Sequence, residues 1–285
     1  MTGVQTCALP ISIIIGSAPG GSYDAYQRVV ARHLGRFLPG NPSVVARNLP
    51  GAASIQSANL VAEAPKDGAT LGAPLNILPL TQLLEPEKSG FDIGRFQWIG
   101  SVASPANVLA TWHTAGVRTL GEAKTREVII GATTPGTTME MYPLMANALF
   151  GTKFKVVTGY LGGAEVNMAM ERGEVGGRGA NAHQSYLFQN PDWLRDRKLH
   201  YIFQMTLERD RTMPDTPTLL EFATTEEERK VVSMMAITEL IGRSLFVAGG
   251  VPPERVALLR AALAKMVEDR KSTRLNSSHV ALSRM

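Results

Sequence analysis

The residues best able to do chemistry in this chain are hydroxyls and backbone amides gathered at two strand–loop–helix junctions. In residues 127–150, Glu127-Val128-Ile129-Ile130 has the pattern of a short buried strand, and Gly131 to Gly136 breaks it with small and turn-forming residues. From Thr137 or Thr138 onward, Met139, Tyr142, Leu144, Met145, Ala148 and Leu149 recur at roughly helical spacing, with threonine at the N-cap. Such a junction aims several backbone N–H groups, two or three hydroxyls and the positive end of a helix dipole at one spot, which suits a carboxylate or a phosphate. The same device stands near the start. Ile13-Ile14-Ile15 is a strand, residues 16–22 a glycine-rich loop, and residues 23–37 a helix carrying Tyr26, Val29, Val30, Leu34 and Phe37 at steps of three and four, with Asp24 in its first turn. Two anion-ready loops in one chain predict two similar halves with one ligand between them.

Other chemistry fits these residues less well. Ser22 in Gly-Gly-Ser-Tyr-Asp lacks the G-x-S-x-G elbow of a serine nucleophile, and residues 16–21 lack both the G-x-G-x-x-G spacing and the lysine of a phosphate loop. His33, His113, His183 and His200 are scattered singly, without an H-E-x-x-H or C-x-x-C pattern, so neither a metal nor a cofactor is expected. Met139, Met141 and Met145 are expected to fill core. The plain alternative for Thr137 and Thr138 is that they only cap a helix. The functional rival is a small α/β enzyme, an acyl transferase or hydrolase, using the same loops as an oxyanion site.

The ends bear on the composition. Thr2 to Ile11 and Asp269 to Ser278 can be encoded by DNA strings that are reverse complements of one another, the pattern of translated sequencing adapter on both sides of a fragment. Residues 1–11 and 269–285 are therefore expected to be foreign and are excluded from fold reasoning. The single cysteine, Cys7, goes with them. Without Arg270, Lys271, Arg274, Arg284 and Asp269, the 29 Lys+Arg and 25 Asp+Glu become 25 and 24, and the net charge falls from +4 to +1. Basicity then gives no argument for nucleic acid, and no Lys/Arg cluster with interleaved aromatics occurs. The 44% apolar content supplies a full core, and no apolar run approaches the roughly 20 residues of a membrane span.

Further elements follow in order. Residues 43–47 form a second strand ended by Asn48-Leu49-Pro50-Gly51, residues 52–64 a small-residue helix, and residues 70–73 a third strand. This β-α-β-α-β order implies a parallel sheet with right-handed crossovers, whose ligands sit beyond the carboxyl ends of the strands. The loops at Gly20, Pro50 and Asn76 leave that edge. Strands at 98–102 and 107–112, a helix at 119–124, a strand at 154–157, a loop at 158–163, a helix at 164–172 and a short strand opened by residues 173–177 repeat the plan. A strand at 200–205, a helix at 219–235, a strand at 244–248 and a helix at 253–267 complete it. The first domain is expected to span 12–104 plus about 226–268, and the second 105–225.

The order Pro19-Gly20-Gly21-Ser22-Tyr23-Asp24, Asn48-Leu49-Pro50-Gly51-Ala52, Asp67-Gly68, Gly136-Thr137-Thr138, Tyr160-Leu161-Gly162, Gly173-Glu174-Val175 and Pro214-Asp215-Thr216-Pro217-Thr218 resembles the substrate-binding proteins of tripartite tricarboxylate transporters, the Bug or TctC-like family. The resemblance spans essentially all of residues 13–267. It implies a periplasmic binding protein of the second type: two α/β domains, each with a mostly parallel central sheet flanked by helices, closing on a small carboxylate that is delivered to the membrane subunits of a transporter. It further implies a monomer with no enzymatic activity, exported to the periplasm by a signal lying upstream. Carried over, the ligand contacts are Gly20, Gly21, Ser22, Tyr23, Asp24, Pro50, Gly51 and Asn76 in the first domain and Thr134, Gly136, Thr137, Thr138, Tyr160, Gly162 and Asn181 in the second. This chain departs from the family pattern at Ser22 and Tyr23, where a third glycine and a threonine are common. It also departs at Glu140, where a histidine is frequent, and at Gly176, where an aspartate follows the valine. Tyr23 would narrow the site and Glu140 would disfavour a nearby anion.

Overall fold

The structure, a computed structural model, describes residues 10–269. The stretches expected to be foreign lie outside these residues apart from Pro10, Ile11 and Asp269, and Ile11 begins the first strand, opposite Val44. The described chain divides into two compact units. The first takes in residues 10–19, Tyr23–Ala103 and 243–269, and the second Gly20–Ser22 and Ser104–Gly242.

In chain order the first unit contains β1 (Ile11–Ile15), α1 (Ser22–Leu34), β2 (Val44–Asn48), α2 (Ile55–Glu63), β3 (Thr70–Ala73), α3 (Leu78–Leu84) and β4 (Gln97–Ser101). The second follows with β5 (Asn107–Trp112), α4 (Leu120–Thr125), β6 (Val128–Gly131), α5 (Thr138–Phe150), β7 (Phe154–Val157), α6 (Gly163–Glu171), β8 (Gly177–Ala182), α7 (His183–Gln189), α8 (Pro191–Arg195), β9 (Leu199–Gln204) and α9 (Glu226–Ile241). The chain then returns to the first unit with β10 (Ser244–Val247) and α10 (Pro253–Glu268).

Each unit is built on a five-stranded sheet, ordered β2-β1-β3-β10-β4 in the first and β7-β6-β8-β5-β9 in the second. The three strands on one side run parallel, β1 with β2 and β3, and β6 with β7 and β8. The other two are joined antiparallel, through β10 in the first sheet and β5 in the second. Both sheets are thus mixed, where β-α-β periodicity alone implied parallel ones. The antiparallel members β5 and β10 are the first strands laid down after the chain changes unit, and periodicity carries no sign of strand direction at such a change.

Apolar spacing explains the layers. On α1, Tyr26, Val30 and Leu34 are buried against Ile13, Ile15, Leu71, Leu245 and Val247 of the sheet and Leu259 and Leu263 of α10. Each such side chain contributes about 1.5–3 kcal/mol over an exposed position. The opposite face of that sheet carries Ile14, Ile55, Val61, Leu78, Phe96 and Phe246. In the second unit Val108, Ala110, Trp112, Val166, Met170, Tyr186 and Trp193 form one cluster, with the indoles of Trp112 and Trp193 edge to face at 4.7 Å.

Four expectations need correction. Residues 52–54 do not open a helix: Ala52, Ala53 and Ser54 have φ of 44°, 49° and 82°, a left-handed turn that delays α2 to Ile55. Gly173 to Gly176 form a connection, and the strand they were expected to open starts at Gly177 and runs on to Ala182. The helix expected over 219–235 is broken into a 3₁₀ turn at Leu219–Phe222 and α9. Each is opened by its own capping box, Thr218 with Glu221 and Thr225 with Glu228, and the second box starts a new helix. Finally, α9 belongs to the second unit, whereas residues from about 226 were assigned to the first.

Candidate functional site

Because β1, β2 and β3 run parallel, the loops that follow them leave one edge of the first sheet, and these loops carry Gly20, Gly21, Ser22, Tyr23, Asp24, Pro50, Gly51 and Asn76. Gly20, with φ 81°, turns the chain into α1, where a residue with a Cβ is disfavoured. Gly21 and Ser22 are half-buried at the start of that helix. The Tyr23 hydroxyl donates to Asn76 Oδ1 at 2.5 Å and receives the Asn76 N–H at 3.2 Å, locking the loop after β3 to the start of α1. Asp24 is buried, and its carboxylate accepts from Arg28 Nε at 2.9 Å and Asn48 Nδ2 at 2.8 Å. Asn48 Nδ2 also donates to Ser17 O at 2.9 Å. Asp24 is therefore a brace joining the loops after β1 and β2. Pro50 is exposed and Gly51 half-buried, ahead of the left-handed turn.

Three residues outside the expected set complete this frame. Ser54 Oγ donates to Gly16 O at 3.1 Å and accepts the Leu75 N–H at 2.9 Å, so one hydroxyl at the end of the left-handed turn ties the loops after β1 and β3 together. Asn48 is the second. The third is Arg243, which is buried, with its guanidinium 3.7 Å from the centre of the Tyr23 ring and 5.8 Å from that of Tyr26. Burial raises the Tyr26 pKa and the Arg243 charge opposes the shift. Arg243 lies far along the chain from its aromatic partners, and only the register of β10 beside β3 brings it back.

In the second unit β6, β7 and β8 are parallel, so the loops after them also share an edge. The loop after β6 holds Thr134, exposed, Gly136, with φ 78°, and the start of α5. Thr137 occupies the N-cap position, but its side chain caps nothing. Its Oγ1 donates to Thr134 O at 2.9 Å, and Thr133 Oγ1 lies 3.4 Å away. Thr138 is half-buried, and its hydroxyl has no hydrogen bond among the described residues. Glu140 folds back so that its Oε2 accepts the Gly136 N–H at 2.6 Å. Its negative charge, expected to disfavour an anion, is thus partly neutralised by a backbone donor.

The loop after β7 repeats this device. Glu165, at the same position of α6 as Glu140 in α5, accepts the Leu161 N–H at 2.7 Å, which fixes Tyr160 and Gly162 at the helix start. Tyr160 is half-buried against the Trp112–Trp193 cluster, and burial raises its pKa, with Glu174 and Glu165 acting in the same sense. Asn181 lies at the far end of β8, buried, opposite Val108.

Behind Gly163 sits the fully buried Arg178. Its Nε donates to Ala180 O at 3.0 Å, and its Nη1 to Gly163 O at 3.1 Å and Asn167 Oδ1 at 2.8 Å. A Cβ on Gly163 would stand 2.2 Å from Nη2, so only glycine lets the guanidinium lie against the first turn of α6. Burial lowers the Arg178 pKa, and Tyr186 is the charge neighbour opposing that. Nearby, His183 Nδ1 lies 3.0 Å from the Tyr201 hydroxyl. Burial lowers the His183 pKa against Asp210, and burial raises that of Tyr201. Among the described residues no group of three or more His, Cys, Asp or Glu could hold a metal, and no helix is long and apolar enough to cross a membrane.

Two sets of parallel-strand loops, each with helix N-termini and small hydroxyl or amide side chains at the carboxyl edge of a mixed sheet, define the class: a two-unit α/β protein with anion-ready loops on both sheets. Solved structures agree. MatC from Rhodopseudomonas palustris with bound malate matches with a TM-score of 0.71 at 19% identity, over 97% of this chain and 91% of that one. A TctC solute-binding protein from Polaromonas matches with a TM-score of 0.63 at 21% identity, over 96% and 90%. The periplasmic binding protein BugD matches at 0.70 and 18%, over 94% and 86%. No family model and no curated protein matches the sequence. The fold expected from the sequence resemblance is the fold of the chain.

Proposed function

We propose that the protein is an extracytoplasmic solute-binding receptor that captures a small carboxylate with the carboxyl-edge loops of its units and delivers it to a membrane transporter. The observation that carries this is the shared fold over nearly the whole chain with MatC, a structure that holds malate, together with a protein from R. palustris that holds adipate and matches with a TM-score of 0.69. In this reading the ligand contacts are Gly20, Gly21, Ser22, Tyr23, Gly51 and Asn76 in the loops after β1, β2 and β3, and Thr134, Gly136, Thr138, Tyr160, Gly162 and Asn181 at the sheet of the second unit. Asp24 and Thr137 hold these loops, and Pro50 shapes the turn. The protein works in the periplasm, as a monomer, without cofactor or nucleic acid.

The rival, an enzyme using the loops as an oxyanion site, needs a nucleophile with a base beside it. In the α5 loop the Thr137 hydroxyl is spent on a backbone carbonyl, which favours the receptor. Thermal denaturation against malate, adipate, citrate and aromatic carboxylates tests the proposal. A ligand at 100 times its dissociation constant adds about 2.7 kcal/mol of stability. Stabilisation by at least one carboxylate, without its chemical change, is the expected result. Turnover of a carboxylic ester with no stabilisation by any acid would favour the rival.

A further inference from the structure

The polar cluster behind the α6 loop of the second unit has a composition that loop geometry alone does not explain. Pairing between β5 and β8 shifts register between Val108 and Ala110, which face Asn181 and Arg178. The extra residue in β8 is a bulge that reverses the usual alternation and turns Arg178 and Asn181 to the same face of the sheet. Arg178 is buried, its three acceptors are all neutral, and no carboxylate of the described residues lies within ion-pair distance of it. Two more polar groups stand near it. Asn181 Nδ2 and Tyr186 Oη are both buried next to each other, and neither has a further hydrogen-bond partner among the described residues. Burial raises the Tyr186 pKa, and the Arg178 charge and then a hydrogen bond from the Asn181 amide offset part of that rise, so the phenol proton is the donor left without an acceptor.

A buried cation without a counter-charge and a buried donor without an acceptor are each costly, and here they occur together. Water bridging Asn181 and Tyr186 would satisfy the donors but leave the charge of Arg178 uncompensated. An anion with two acceptor oxygens satisfies both. The cluster borders the carboxyl edge of the sheet: Asn181 is next to last in β8, and Arg178 holds the carbonyl of Gly163, which directly follows Tyr160-Leu161-Gly162.

We infer that Asn181 and Tyr186 form a carboxylate subsite of the second unit, with the Asn181 amide and the Tyr186 hydroxyl donating to a ligand carboxylate whose charge Arg178 balances. The inference rests on the receptor reading above and adds Tyr186 and Arg178 to it. Arg178 is the positioning residue, since its hydrogen bonds go to the protein. It selects for a ligand that presents a full negative charge at the deep end, so a dicarboxylate is preferred to a hydroxy monocarboxylate of similar size.

The test is Tyr186→Phe, with Asn181→Ala as a second variant, because Arg178 variants would break the links to α6 and could fail to fold. Removing a buried hydroxyl whose proton has no acceptor leaves the ligand-free melting temperature of Tyr186→Phe unchanged or higher. Titration calorimetry with malate and adipate, and with lactate and hexanoate as monocarboxylate controls, is expected to show dicarboxylate affinity falling about tenfold or more in each variant, with the monocarboxylates little affected. A structural role alone would move melting temperature and not this ratio. If the wild-type protein binds a dicarboxylate and both variants bind it within twofold, the subsite is refuted while the receptor reading stands. Wild-type protein that binds neither dicarboxylate also refutes the subsite, and the receptor reading falls with it only if citrate and the aromatic carboxylates fail as well.

Discussion

The two threonines at the start of α5 separate by role, and single valine substitutions expose the difference. Thr137 is only 5% exposed, and its one hydroxyl proton is committed to Thr134 O at 2.9 Å. Thr137→Val keeps the shape, removes that bond and leaves an acceptor on an exposed residue that water can reach, so the loss sits near the typical net value of about 1 kcal/mol. For a chain of this size that lowers the melting temperature by about 2–4 °C. Affinity is expected to hold, because the backbone N–H groups of Thr138 and Met139, which make no hydrogen bond among the described residues, survive the change. Thr138→Val is expected to do the reverse. Its hydroxyl supports no protein bond, so stability changes little. A lost hydrogen bond to a ligand carboxylate costs about 1.5–3 kcal/mol, or roughly ten- to 150-fold in dissociation constant. Scanning calorimetry gives the first quantity and titration calorimetry with the tightest-binding carboxylate the second. Unaltered affinity in Thr138→Val, or a large affinity loss in Thr137→Val at unchanged melting temperature, would refute this division of roles.

Three further outcomes concern the frame. Gly72→Ala would place a Cβ 2.3 Å from Phe246 Cζ, in a ring stacked 4.3 Å from that of Phe96, and overpacking of that kind is expected to lower stability by about 1–3 kcal/mol in chemical denaturation. Ala52→Gly, at an exposed position with φ 44°, relieves left-handed strain of about 1–2 kcal/mol against a backbone-entropy cost of about 0.5–1, so a gain of up to about 1.5 kcal/mol is expected in the same assay. The Glu221 carboxyl is held down to about 2 by the Arg209 side chain and by the Thr218 N–H. Its folded value lies below its unfolded one, so its contribution is present in full above the ordinary carboxylate value and is lost as pH falls toward about 2. With both partners well exposed, that contribution stays under about 1 kcal/mol. Glu221→Gln is therefore expected to melt slightly lower than the wild type at pH 7, with the gap closing as pH is lowered.

How much of this could be read in the sequence depends on the range over which each feature is fixed. The organising unit is local: a β-branched strand, a glycine-broken loop and a helix of periodic apolar residues specify one another within a few turns, and β6, the loop and α5 stand where the pattern put them. Strand direction is not local. Residues 107–112 and 244–247 have ordinary strand composition, and only their partners make them antiparallel. The broken helix after residue 219 had its own signal in two threonine-to-glutamate boxes, which apolar periodicity across the break concealed. The left-handed turn at Ala52 to Ser54 carried no signal at all, since alanine and serine in that conformation are held there by surroundings such as the two hydrogen bonds of Ser54.

The same distinction explains why the candidate site was half legible. Residues that offer backbone donors sit in glycine-rich loops and announce themselves. Residues that supply charge lie elsewhere: Arg243 just before the last strand, stacked on Tyr23 in the first unit, and Arg178 on β8, behind the start of α6 in the second. Each unit thus places one buried guanidinium beside a helix that opens at its carboxyl edge. Around these cations the acidic side chains near the loops are already engaged, Asp24 with Arg28 and Asn48, Glu140 with the Gly136 N–H and Glu165 with the Leu161 N–H. All three occupy the third position of their helices, where a carboxylate can both complement the dipole and turn back on its own loop. In each unit taken by itself, a buried guanidinium, helix N-termini and carboxylates already engaged by protein groups bias the carboxyl edge toward anions. That bias comes from residues too far apart in the chain for any single motif to contain it.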